Sequence, residues 1–425
     1  VKRAVKGWAV APLLAAALSL LLPAAVLARE PVTGEAAIPS LAPLKRYGEV
    51  RGFRLGGRYD LAQPPSTFDN GGRGGVTLES LGAPPVALGY IAVGTPERND
   101  KGEITNGVVI ATYGAADATS IYAIWFDGQP GTPLAEGAVV GPGRLIDTNK
   151  LFVVFVDGLG LWGSAKPSAG LGPRFPAYSF FDSAQLTYRL LRDHLRFARL
   201  RLAAGVSQGG AQAYLLAAMH PEFVEAILPI GAPVCSSPAA PALYWLHALS
   251  KAAIEADPVW LATGGRYYDR PKAEHPNGGV MFAWSILGLA SLEPHRRAEQ
   301  PWTQVRREVF GWSPSGEEAA TLKQRAAEYD AVDLHHRANA AMAFCAHEWL
   351  PRIRARTLIF AVETDRLVPL AAAREAASAI APAMLLSFAH PLGHFATFAA
   401  PNRFKDEVRA FVEDRFLPRP PAPPR

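Results

Sequence analysis

The sequence predicts an α/β chain: a mostly parallel sheet flanked by helices, with a helical lid inserted after the sixth strand. Three observations predict it. Apolar, β-type runs alternate with helical stretches through most of the 425 residues, the pattern of a sheet built from crossover units. Two of those runs, 107–112 and 151–156, are almost unbroken in their apolar character, as strands covered on both faces are. Finally, Gly205-Val206-Ser207-Gln208-Gly209-Gly210 stands where the strand-like run 199–204 passes into the helical pattern 208–219.

The elements follow in order. Lys2, Arg3 and Lys6 precede a long apolar run that closes on Val26-Leu27-Ala28, which predicts a secretory signal peptide over 1–28. The run is long enough to span a bilayer, but Pro23 and the small residues near its end favour cleavage after Ala28. The expectation is a periplasmic or secreted protein with no stable membrane span after cleavage. Residues 29–73, rich in Gly, Pro and Arg, read as an irregular N-terminal segment. Strands are predicted at 75–81, 87–94, 107–112, 151–156, 226–230, 357–362 and 384–388. Asp182 and Ser183 offer an N-cap for a helix running to about 196; a last helix covers about 404–416. Between 235 and 352 the strand pattern stops, and helical stretches with many Trp and Tyr predict the lid. The sheet domain thus comprises 74–234 and 353–417, and the proline-rich tail 418–425 reads as disordered.

Composition narrows the function. Hydrophobic residues make up 49% and charged residues 19%, as in a well-packed globular enzyme. The formal charge of +5 falls to +2 without the three presequence cations, which is no footprint for nucleic acid. Only Cys235 and Cys345 are present; they form a disulfide in an oxidising compartment or remain two buried thiols. No two histidines fall at ligand spacing near an acidic cluster, and His335 and His336, being adjacent, point apart on a helix. No metal and no cofactor is therefore expected.

The G-x-S-x-G run has the chemistry of a nucleophile elbow. A turn from strand to helix this sharp strains the serine backbone, and glycines two residues either side remove the Cβ atoms that would collide. Ser207 would stand clear above the positive end of the following helix. A serine nucleophile needs a base, and the base an orienter. Asp365, just past the strand 357–362, is the predicted acid, with Glu363 its competitor. His394, after the last strand, is the predicted base, with His390 as the alternative. The developing oxyanion needs donors: the Gln208 backbone N–H, next to the nucleophile, and the Gly114 N–H, with Tyr113 as the alternative.

At this point the chain resembles the homoserine O-acetyltransferases, members of the α/β-hydrolase superfamily. The residues that carry the resemblance are 205–212 around Ser207, 139–148, 163–176 and 89–95, within a span of about 75–415. It implies an α/β-hydrolase fold with a helical cap and a Ser–Asp–His triad working through an acyl-enzyme, onto which Ser207, Asp365 and His394 carry over directly. It also implies a homodimer.

Two departures set the chain apart from that family's named reaction. The family has an Asp directly after the catalytic His, helping to hold an amino-acid acceptor; here it is Phe395. The family's lid arginine, which grips the acceptor carboxylate, falls at Trp284. A zwitterion between two apolar side chains would leave its charges unpaired. Water then becomes the expected acceptor, and the expectation is a secreted serine esterase acting on a small-molecule ester. Trp284 and Phe395 are the candidate substrate-binding residues, weighed against their being ordinary lid core. The competing expectation is an O-acyltransferase using a non-homoserine alcohol. A haloalkane dehalogenase is disfavoured, because its nucleophile would be Asp where Ser207 stands.

Overall fold

Side chains alternate across a pleated strand, and here both faces of the pleat are buried. In Gly107–Ala111, Val108 and Ile110 enter one hydrophobic cluster while Val109 and Ala111 enter another. Phe152–Val156 repeats the division, with Val153 and Phe155 on one side and Val154 and Val156 on the other. Each such Val or Ile, out of water, contributes about 1.5–3 kcal/mol. This two-sided burial is why the runs read as continuously apolar.

The structure is a computed structural model and describes residues 36–236, 241–291 and 328–414. The expected signal peptide at 1–28 and tail at 418–425 lie outside the described residues, as do 237–240 and 292–327 of the expected lid. Eight strands form the sheet: β1 (Arg46–Val50), β2 (Val86–Val93), β3 (Gly107–Ala111), β4 (Phe152–Val156), β5 (Leu202–Val206), β6 (Ala226–Ile230), β7 (Arg356–Val362) and β8 (Ala383–Phe388). Their order is β1-β2-β4-β3-β5-β6-β7-β8. β2 runs antiparallel to β1 and β4, and the remaining neighbours are parallel. Ala111 pairs with Gly205, Val206 with Ile230, and Ile230 with Phe360, so four strands end level. The loops after them open on one edge, where ligands of such sheets bind. Helices α1 (Ala118–Trp125), α2 (Phe180–Arg189) and α3 (Gln208–Met219) cover the sheet; every residue of α3 is buried.

Several elements differ from the sequence reading. The segment 29–73 is not irregular throughout: β1 lies inside it as the edge strand. With Gly48 at its centre and Arg46, Tyr47 and Glu49 exposed, it carries little apolar signal. The predicted strand at 75–81 shrinks to Val76–Thr77, paired with Arg54–Leu55, and then a 3-10 turn at Glu79–Leu81. Helix α2 begins earlier, because Ser179 is its N-cap and Asp182 its third residue, in a reciprocal capping box. It ends in a π-turn at Leu190–His194. The last helix divides into Ala400–Arg403 and Lys405–Val412.

Between β6 and β7 the described chain holds α4 (Pro241–Glu255), α5 (Pro258–Thr263), α6 (Asn277–Ser291) and α7 (Ala331–Met342). Their own small core is built on Ile254, Tyr267, Val280, Ala283, Ala331 and Val332. At the neck of this insertion Cys235 and Cys345 form a disulfide, 110 residues apart in sequence. The flanking backbone pairs as well: Ser236 N–H donates to the Phe344 carbonyl at 2.9 Å, and Ala346 N–H to that of Val234 at 2.8 Å. No helix of the described residues is long and apolar enough to cross a membrane.

Candidate active site

The site is assembled from the loops that leave β3, β5, β7 and β8. Ser207 follows β5 directly, at φ 56° and ψ −120°, a conformation that a side-chain-bearing residue adopts only under strain. Two contacts hold it there: its N–H donates to the Ile230 carbonyl at 2.8 Å, and its own carbonyl accepts from Ala211 N–H at 3.1 Å. The flanking glycines are sterically required. A Cβ on Gly205 would lie 2.3 Å from the Gly209 carbonyl carbon, and one on Gly209 would lie 2.2 Å from the Ala111 oxygen. Ser207 therefore tops the N-terminus of α3, where backbone N–H groups and the helix dipole favour negative charge.

Asp365 is buried, and its carboxylate is fully used. Oδ1 accepts from Leu367 N–H at 2.8 Å and Val368 N–H at 2.9 Å, while Oδ2 meets His394 Nδ1 at 2.6 Å. That leaves Nε2 as the free ring nitrogen. The His394 ring lies beside the elbow: a Cβ on Gly231, the residue after the Ile230 that holds Ser207, would be 3.7 Å from His394 Cε1. The competitors are placed elsewhere. Glu363 is exposed and accepts from Ser387 Oγ at 2.8 Å. His390 accepts from Leu392 N–H through its own Nδ1 at 3.1 Å. Of these four residues, Asp365 and His394 are the acid and the histidine that meet.

Gly114 lies in the loop after β3, and Gln208 opens α3. Among the described residues neither backbone N–H donates to a protein acceptor. Sequence reasoning missed how the Gly114 loop is braced. Thr112 Oγ1 donates to the Asp117 carbonyl at 2.9 Å, and Asp117 caps α1 by accepting from Ser120 N–H. The Asp117 carboxylate in turn pairs with Lys45 at 2.9 Å, and Lys45 reaches Asp157 at 2.8 Å. All three side chains are buried. Burial works against the Lys45 charge, but the two carboxylates outweigh it and hold its pKa above the ordinary lysine value. The available signal was local: an Asp with Thr and Ser two and three residues on is an N-cap pattern.

The two candidate substrate residues are less closely tied to this centre. Trp284, half-buried on α6, packs its ring 4.6 Å from that of Tyr329, which in turn lies 4.9 Å from Trp162. Trp162 Nε1 donates to the Ala115 carbonyl at 2.8 Å, so this aromatic row begins at the Gly114 loop. The Trp284 indole N–H is shielded from water and has no acceptor. Phe395 packs against a core cluster of the sheet. Among the described residues, no ring contact or hydrogen bond joins either side chain to Ser207, Asp365 or His394. The described residues hold no cluster of His, Cys, Asp and Glu suited to a metal ion.

Comparison with known proteins agrees with this architecture. The family model described as alpha/beta hydrolase fold matches residues 144–401, more than half of the chain. A homoserine O-acetyltransferase of Thermobifida fusca is 31% identical over 286 residues, covering 60% of this chain and 70% of that one. A serine O-succinyltransferase of Xanthomonas campestris is 27% identical over 355 residues, covering 73% and 87%. Among solved structures, that of esterase E22 superimposes with a TM-score of 0.66 at 21% identity, covering 87% of this chain and 99% of that one.

Proposed function

This chain belongs to the α/β hydrolase fold family, whose relatives include esterases and acyltransferases, and on that premise we propose that it is a serine esterase. The observation that carries this reading is the 2.6 Å contact between the buried Asp365 carboxylate and His394 Nδ1, in a chain whose Ser207 sits strained at the turn from β5 to α3.

In this reading Ser207 Oγ attacks the ester carbonyl and passes its proton to His394 Nε2. The carbonyl oxygen becomes an oxyanion, received by the Gln208 and Gly114 N–H groups. His394 then gives the proton to the departing alcohol, leaving an acyl-enzyme. Water, deprotonated by the same nitrogen, releases the acid. Asp365 keeps the imidazole in the tautomer with Nδ1–H and stabilises the imidazolium. No step requires a cofactor.

Water is favoured as acceptor because Phe395 and Trp284 take the sequence positions at which the homoserine O-acetyltransferases carry charged residues for an amino-acid acceptor. The cationic start and apolar run of 1–28 support a periplasmic or secreted location, as does the disulfide at the lid neck. The names of the relatives favour a second reading, transfer of the acyl group to an alcohol other than homoserine. One experiment addresses both. The mature protein is assayed for p-nitrophenol release from acetyl, butyryl and octanoyl esters beside Ser207→Ala, with and without added alcohols. Turnover that disappears in the variant, with free acid as product, supports the esterase. Ester products that dominate when alcohol is present favour the transferase, and equal turnover by both proteins refutes the elbow assignment.

A further inference from the structure

The lid contributes a buried cation to the catalytic edge of the sheet. Arg337 lies on α7, the helix by which the insertion returns to the core, and is only 4% exposed. Its guanidinium forks between two loops: Nη2 donates to the Gly114 carbonyl at 2.7 Å and Nη1 to the Leu159 carbonyl at 2.6 Å. Those loops follow β3 and β4. Room for the fork comes from Gly158, where a Cβ would lie 2.6 Å from Nη2 and 2.9 Å from Nη1. Among the described residues no carboxylate comes within ion-pair distance of Arg337. Removing a guanidinium from water without a contacting anion costs several kcal/mol, so two carbonyl bonds alone are a poor reason for a cation here.

Two features give the charge a reason. Burial works against the Arg337 charge, but the Tyr178 phenol and, more weakly, the Asp157 carboxylate favour it, and the guanidinium lies over the Phe180 ring, 5.6 Å from its centroid. The planar fork also bridges two carbonyls at once, which a lysine or an amide does not reproduce. α7 is itself held firmly: Asp333 accepts from Ser168 N–H and Oγ, both at 2.7 Å, and His336 Nε2 meets the Phe175 carbonyl at 3.1 Å.

We propose that Arg337 is a positioning residue for the oxyanion loop, clamping Gly114 from the lid side so that docking of α7 and competence of the oxyanion hole are coupled. The inference rests on the reading of Gly114 as an oxyanion donor in ester hydrolysis. Arg337 touches no reacting atom. Its effect is the placement of the Gly114 N–H, and a misplacement of about 1 Å in such a site costs on the order of 10²-fold in rate.

The test uses Arg337→Lys, which keeps the charge and loses the fork, and Gly158→Ala, which keeps the arginine and displaces it. Active sites are counted by the p-nitrophenol burst with an organophosphate. For each variant kcat and KM per active site are measured on p-nitrophenyl butyrate, with the Ki of a trifluoromethyl ketone. Ser207 Oγ adds to that ketone's carbonyl carbon, and the resulting hemiketal oxyanion occupies the hole. We expect kcat per site to fall about 10- to 100-fold in both variants with KM little changed, and the ketone to weaken in parallel. A purely structural role would lower the thermal midpoint and the number of active sites while leaving kcat per site and Ki as in the wild type. That result in either folded variant overturns the proposal, as does a fall in kcat with Ki unchanged. Full activity in Ser207→Ala would instead overturn the esterase reading itself.

Discussion

Asp365 and His394 show how a single contact decides between residues of equal chemistry. Glu363 and Asp365 are both acids past the end of β7, and His390 and His394 both follow β8. Order along the chain narrowed the choice; the 2.6 Å contact between Asp365 and His394 Nδ1 makes it. The same geometry predicts the effect of Asp365→Asn. The amide oxygen can keep the Leu367 and Val368 N–H bonds, which leaves the NH₂ group facing His394 Nδ1. The imidazole must then carry its proton on Nε2, toward the serine, and cannot accept another. We expect kcat/KM on p-nitrophenyl esters to drop about 10³- to 10⁴-fold with little change in thermal midpoint. A variant within tenfold of the wild type would remove Asp365 from the triad. Trp284 and Phe395 illustrate the opposite case. Each is an aromatic residue at a suggestive place, yet both pack into hydrophobic clusters, and residue type alone does not separate pocket from core.

Among the elements, the strands that matter most were the most legible. β3 and β4 are buried on both sides, so every residue is apolar and the run stands out. β1 is an edge strand of five residues with three exposed, and its pairing with β2 rather than its composition makes it a strand. The lid neck was half legible: two cysteines in a sequence leave pairing open until their positions are known. The disulfide closes a loop spanning 110 residues, which restricts the unfolded chain by about 4–5 kcal/mol. The double variant Cys235→Ala/Cys345→Ala should therefore melt several degrees lower in calorimetry, with kcat at 25 °C within a few-fold of wild type because the flanking backbone bonds remain. An unchanged midpoint would mean that the loop is constrained by other means.

Across the whole molecule, the N-terminal segment is locked to the core by buried carboxylates. Lys45 reaches Asp117 and Asp157, while Asp182 accepts from Gly56 N–H at 3.2 Å and from Tyr59 Oη at 2.7 Å. Burial raises the Asp182 pKa to about 6, against the opposing pull of its hydrogen bonds. An aspartate in the unfolded chain titrates near 4, so the folded state binds this proton more tightly. Its contribution to stability is complete below about pH 4 and is lost as the pH rises through about 6, amounting to about 3 kcal/mol. Asp182→Asn should flatten that part of the stability profile. Urea unfolding of both proteins from pH 4 to pH 7 reads the difference, and parallel profiles would mean that Asp182 is ionised throughout.

Much was determined by the sequence alone: the alternation of strand and helix, and the sharp strand-to-helix turn at Ser207 with its glycines. These depend on requirements that act over a few neighbouring residues, namely pleat periodicity, helix capping and the steric limits of one tight turn. Only the tertiary structure decided which acid meets which histidine, that β1 closes the sheet edge, and that the cysteines pair. It alone placed Arg337 on the carbonyls of Leu159 and Gly114, residues 178 and 223 positions away. Contacts of that kind leave no periodic trace in the chain, because each is made by one residue against a surface that exists only after folding.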